Sequence, residues 1–191
     1  MAKRDNHYDV AFEAYLRERQ ISYVAVDEAR RSPGGNDATA GQTLKSLDFI
    51  VSPRETAVSW LVDVKGRHFP AGRRKQYWRN WTTADELHSL ARWESLFGRQ
   101  FAALLVFAYL VLDDVSPLPS EQLFSFRDRL YAFVGIRPHH YLALGRVISP
   151  KWNTIAVPGS QFRQLARPVH ELFATAPSAA NATSAANESA A

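Results

Sequence analysis

The run FAALLVFAYLVL, residues 101–112, contains no charged residue and no helix breaker. As a helix it would be about 18 Å long, well short of the ~30 Å hydrocarbon core of a bilayer. As a strand it has two apolar faces, and such a strand is stable only when both faces are covered. The run therefore predicts the centre of a sheet with helices on each side, an α/β arrangement in three layers.

The rest of the chain supplies those layers. Residues 6–20 place Tyr8, Ala11, Phe12, Tyr15 and Leu16 on one face of a helix, with Asp5 or Asn6 as its cap. ISYVAV, 21–26, reads as a buried strand, and LKSLDFIVS, 44–52, as a second. ETAVSWLVDVKG reads as a third strand, joined to the second by a turn at SPRE. Between the first two strands, 27–42 is rich in Gly, Ser, Asn and charge and is expected to be a mobile loop. A helix capped by Thr82 or Thr83 should end at Gly98, with Trp93 as a core anchor and Glu94 on the surface. After the central strand, LFSFRDRLYAFVGI suggests a hairpin turning near Arg127–Arg129 and HHYLALGRV a short helical turn. KWNTIAVP suggests a last short strand, and SQFRQLARPVHELF a closing helix broken at Pro168.

The 191 residues, 46% hydrophobic and 12% aromatic, suit one domain, expected over 1–173. Residues 174–191 form an Ala/Ser/Asn-rich tail with no apolar face, expected to be disordered. The absence of cysteine excludes disulfides, thiolate metal sites and cysteine nucleophiles. MAKRDNHYD has no apolar run behind its charges and does not read as a signal peptide, so a soluble cytoplasmic protein with no membrane partner is expected.

Net charge is only +4, but its distribution is uneven. Lys65, Arg67, Arg73, Arg74, Lys75 and Arg79 are interleaved with Tyr77, Trp78 and Trp81, and no acid falls between Asp63 and Asp85. Cations neutralise phosphates and aromatic rings stack on bases, so this segment suits a nucleic acid. Lys151-Trp152, Arg127 and Arg129 are further candidates for such a groove. The alternative is a solvated basic loop whose aromatics turn into the core.

Three acids and a lysine form a second pattern. Asp63 and Lys65 are two apart on one strand and so share a face. Asp48 lies between Leu47 and Phe49 on the neighbouring strand, and Glu13 follows Phe12 at the border of the first helix's apolar stripe. Carboxylates near a buried surface are costly unless paired or bound to a metal. Two on adjacent strands repel, and a divalent cation between them removes the conflict. Hard oxygen ligands with open positions describe a magnesium site able to activate water against a phosphodiester. The plainer alternatives are a solvated Asp63–Lys65 pair worth little and a Glu13–Arg17 pair at i,i+4, with Asp9 or Glu18 as the functional acid.

Glu13 on a helix, Asp48 on a strand and Asp63-x-Lys65 on the next resemble the PD-(D/E)XK nuclease superfamily, the restriction-endonuclease-like fold, over roughly residues 6–112. The element order αβββαβ agrees, with an added C-terminal hairpin and helix. His7-Tyr8-Asp9-Val10-Ala11-Phe12-Glu13 also resembles the signature of an uncharacterised bacterial family, HYExAFE, typical of planctomycetes, with Asp9 in place of its glutamate. The superfamily resemblance implies that Asp48 and Asp63 bind Mg2+ or Mn2+, with the Val64 carbonyl as a third ligand and Glu13 reaching the metal or its water. Lys65 would orient or deprotonate the attacking water and stabilise the phosphate. It further implies an endonuclease acting on DNA, with selectivity for junctions or other DNA structures among its expected activities, and a homodimer by analogy. A non-catalytic nucleic-acid-binding module on the same fold is the alternative.

Overall fold

The computed structural model describes residues 6–26, 44–72 and 77–174. Its elements are α1 (His7–Glu18), β1 (Ser22–Ala25), β2 (Phe49–Ser52), β3 (Ser59–Phe69), β4 (Thr82–Thr83), α2 (Ala84–Phe97) and β5 (Phe101–Val111). There follow β6 (Phe124–Phe126), β7 (Arg129–Ile136), α3 (His139–Leu144), β8 (Arg146–Ser149), β9 (Thr154–Ala156), α4 (Gly159–Leu165), β10 (Arg167–Pro168) and α5 (Val169–Ala174).

β5 lies at the centre of the main sheet, as its composition demands. It pairs in parallel with β3 along the whole of both strands, from Ser59 opposite Phe101 to Phe69 opposite Val111, and antiparallel with β7 on its other side. The sheet runs β1-β2-β3-β5-β7-β10, with β6 also paired to β7. Even-numbered β5 residues Leu104, Val106 and Ala108 pack under α1 and α5 with Phe12, Leu16, Val169 and Phe173. Odd-numbered Ala103, Leu105 and Phe107 pack under α2, α3 and α4 with Leu87, Leu90, Tyr141 and Phe162. Each large apolar side chain buried this way contributes about 2 kcal/mol. The three layers expected from the sequence are present.

Local signals account for several boundaries. Asn6 caps α1 by accepting from the Tyr8 N–H at 3.1 Å. Thr83 and Glu86 form a reciprocal capping box at the start of α2. Gly98 ends that helix at φ +84°, a region open to glycine. Arg127 and Asp128, both at positive φ, make the tight turn between β6 and β7. Pro168 separates α4 from α5 within the two-residue strand β10.

Three expectations need correction. The segment 21–26 is not a buried strand: β1 pairs only with β2 and is mostly exposed. The strand expected over 44–52 begins only at Phe49. The third strand, expected to stop at Gly66, runs on, because β5 continues to pair with β3 through Phe69. The loop 27–42 and positions 175–191 lie outside the described residues. A small second sheet, β4-β9-β8, closes over the start of α2.

Candidate metal and phosphate site

Because β2 starts at Phe49, the middle of β3 is open along one edge. The pairing of Phe49 with Val62, continued one residue, sets Asp48 opposite Asp63. Asp48 is held there by its backbone N–H, which donates to the Val62 carbonyl at 3.0 Å, and by its Oδ2, which accepts from the Val64 N–H at 2.7 Å. A strand residue points its N–H and C=O toward the same neighbour, so the Val64 carbonyl is also directed to the Asp48 side. Strand alternation sends Asp63 and Lys65 to the α2 face.

These groups line a cleft of ≈ 510 Å³ together with Asn6, Asp9, Lys45, Glu86 and Trp93. Lys65 Nζ lies 2.7 Å from Asp63 Oδ2 and 3.0 Å from Glu86 Oε1. Asp63 Oδ2 is fully buried, with the Lys65 ammonium as its close cationic neighbour. Burial pushes the Asp63 carboxyl up to about 7; Lys65 opposes this and the Asp48 and Glu86 charges add to it. Burial would also raise Glu86, but the Lys65 ammonium, the Thr82 hydroxyl and the Thr83 N–H outweigh it and hold that carboxyl at about 2. Burial works against a charged Lys65, yet Asp63 and Glu86 more than compensate and raise its pKa. Lys65 is an ammonium at neutral pH.

The sequence-derived site is brought together in part. Asp48, Asp63, Val64 and Lys65 converge on the cleft. Glu13 is elsewhere: its Oε1 accepts from Arg17 Nη2 at 2.7 Å and from the Tyr23 hydroxyl at 2.9 Å, the local i,i+4 pair that was its alternative. The acid that α1 turns toward the cleft is Asp9, one helical turn earlier, within hydrogen-bonding distance of Asn6 Nδ2 at 3.2 Å. Glu86 and Lys45 were missed. The capping box announces Glu86 as a helix-start residue, but only the packing of α2 on β3 puts its second oxygen against Lys65. Lys45 reaches the same carboxylate at 3.7 Å from a segment strapped to α2: its N–H donates to Ser89 Oγ and its carbonyl accepts from Trp93 Nε1. Trp93 is thus half-buried and polar-bonded, and Glu94 is no simple surface acid, since it binds Arg137 and the Ala103 N–H.

The expected nucleic-acid residues are divided. Arg67 is drawn inward, donating to the carbonyls of Gly66 and Trp81 and stacking 3.9 Å from the Trp81 ring. Trp78 is packed against Phe69, Tyr109 and Phe162. Both serve the core, as the plainer alternative for this segment held. Tyr77, Arg79 and Lys151 are exposed. Arg73, Arg74 and Lys75 lie outside the described residues.

Magnesium needs hard oxygens, uses one or two carboxylates and keeps several waters. Asp48, Asp63 and the Val64 carbonyl make such a donor set, and two carboxylates facing each other across adjacent strands suit a cation. Among the described residues no group of three or more His, Asp or Glu side chains encloses a cation position. The residues present fit a partly hydrated ion rather than a closed cage.

Gly66 fixes how α1 approaches this site. A Cβ there would come within 2.1 Å of the Tyr8 ring. Gly66→Ala is expected to cost about 1–3 kcal/mol in urea unfolding, because the ring and the helix turn carrying Asp9 must move. A change below about 0.5 kcal/mol would show that Tyr8 does not set that approach.

No family model matches the chain, and no curated protein matches it. Among solved structures it is similar to Hjc of Archaeoglobus fulgidus, a Holliday junction resolvase from an archaeal hyperthermophile. Identity is 12%, the TM-score is 0.52, and the likeness covers 87% of this chain and 98% of that one. The chain therefore has a three-layer α/β fold similar to that of this resolvase.

Proposed function

We propose that the protein is a divalent-metal-dependent nuclease that hydrolyses phosphodiester bonds in DNA. The observation that carries the reading is the facing of Asp48 and Asp63 across the open edge of β3, with the Lys65 ammonium on the same strand. The similarity of the fold to a Holliday junction resolvase supports it and makes branched DNA the first substrate to examine.

Asp48, Asp63 and the Val64 carbonyl would hold Mg2+ or Mn2+, and Asp9 takes the place expected of Glu13 as the acid from α1. Asp9 is also the third residue of the HYExAFE-like signature. A cation held by these groups would supply Lewis-acid stabilisation of the phosphate and a more acidic water. Lys65, held beside Asp63 and Glu86, would place a fixed positive charge against the developing phosphorane. Glu86 holds that ammonium in the cleft while its other oxygen stays committed to Thr82 and Thr83.

The test is incubation of the full chain with labelled four-way junction and duplex DNA, with magnesium, with manganese and with excess chelator. Metal-dependent cleavage that chelator removes is expected. DNA binding with no cleavage under either metal would overturn the reading in favour of the non-catalytic module.

A further inference from the structure

Trp152 is the most exposed large apolar residue among the described positions, at 69%, on a protein that buries or half-buries its other described tryptophans. It sits in a built turn. Asn153 N–H donates to the Pro150 carbonyl at 3.2 Å, closing a β-turn with Lys151 and Trp152 at its two central positions. Asn153 then adopts φ +47°, the left-handed residue that follows such a turn in a bulged hairpin. The turn joins β8 to β9, and β9 pairs with β4 through Thr154 and Thr83.

The tip is anchored to the start of α2. The Asn153 carbonyl accepts from the Ala84 N–H at 2.9 Å, two residues before Glu86 in the cleft. The turn that carries the ring is therefore tied to the helix end that also supplies Glu86 to the cleft. Lys151 Nζ stands 5.3 Å from the ring centroid, and Arg146 is exposed on β8. A flat apolar ring with a cation beside it matches a base with its phosphate. Val147 and Ile148, also exposed on β8, would fit a protein surface instead, but they do not account for the cation on the ring or the anchor to α2.

We propose that Trp152 stacks on an unstacked base of the nucleic acid lying in the cleft, so that the substrate is DNA with an accessible base face, a branch point or a gap, rather than continuous duplex. Stacking requires an open π-face, which a paired base inside a duplex does not offer. This inference rests on the nuclease reading, since it needs nucleic acid in the same cleft.

The experiment is binding by fluorescence anisotropy, without divalent metal, of three labelled DNAs of common sequence: a four-way junction, a gapped duplex and a continuous duplex. Trp152→Ala is expected to weaken junction and gapped binding by about 5- to 150-fold, the range for losing one base stack, and to leave continuous-duplex binding unchanged. Trp152→Phe should recover most of the loss. Lys151→Ala should instead lower affinity for all three and reduce the salt slope by about one. Thermal melting checks that the exposed substitutions leave the fold intact. Equal loss on all three DNAs, or none, overturns the inference, as does a fall in sedimenting mass on Trp152→Ala, which would assign the ring to a protein interface. If the wild type cleaves DNA and Trp152→Ala changes no affinity, only the stacking role fails. If the wild type neither binds nor cleaves any of the three, the nuclease reading fails as well.

Discussion

Lys65→Ala is expected to lose about 3–5 kcal/mol of stability at pH 8, a loss of the size seen when one partner of a buried ion pair is removed. Lys65 is the group that compensates both Asp63 and Glu86, and all three side chains are largely buried. Without it, Asp63 faces Asp48 and Glu86 and loses the ammonium 2.7 Å from its Oδ2. Metal-dependent cleavage should fall in the same variant by about 10²–10³-fold, the typical loss for one fixed transition-state-stabilising group. The two effects are separable. Lys65→Met combined with Asp63→Leu removes charge in a pair and should regain most of the stability while remaining inactive. Urea unfolding of both variants checks the first effect, and initial cleavage rates on junction DNA check the second. A stability change within about 0.5 kcal/mol would mean that Lys65 and Asp63 are only a solvated surface pair.

The pH dependence of stability is expected to be inverted around this site. Asp63 titrates near 3.8 when unfolded and at about 7 when folded. Between those values the folded protein holds a proton that the unfolded chain has released, so the contribution is complete below about pH 4 and is lost as pH rises through about 7. The gap corresponds to about 4 kcal/mol as an upper bound. Glu86 acts with the opposite sign: its folded pKa of about 2 adds stability that is present above 4.5 and lost as pH falls through about 2, outside the Asp63 window. Asp63→Asn, measured by urea unfolding at pH 5 and pH 8, should therefore be nearly flat where the wild type weakens, and should be the more stable protein at pH 8. Added magnesium should restore the wild type at pH 8, by favouring the ionised carboxylate, and should not stabilise the asparagine variant. Parallel pH curves for the two proteins would show that Asp63 does not carry the shift.

Calorimetric titration with magnesium complements these measurements. Binding to the wild type that disappears in Asp48→Ala would assign the cation to the facing carboxylates, independently of any substrate.

Some of this was legible in the chain itself. The run at 101–112 had to be an enclosed strand, because a residue sequence with two apolar faces has no other stable place in a water-soluble layer structure. The α1 stripe, its Asn6 cap, the Gly98 stop and the shared face of Asp63 and Lys65 follow from local periods of 3.6 and 2, which involve only neighbours in sequence. The Glu13–Arg17 pair was legible for the same reason, as an i,i+4 contact. What the sequence could not reveal is whatever depends on where one element lies against another. The late start of β2 opens the edge of β3; the angle of α1 presents Asp9; the packing of α2 brings Glu86 against Lys65; and the length of β3 pulls Arg67 off the basic surface to stack on Trp81. Each joins residues many positions apart through the docking of whole elements. Local propensity carries no information about that distance, so only the tertiary structure decided it.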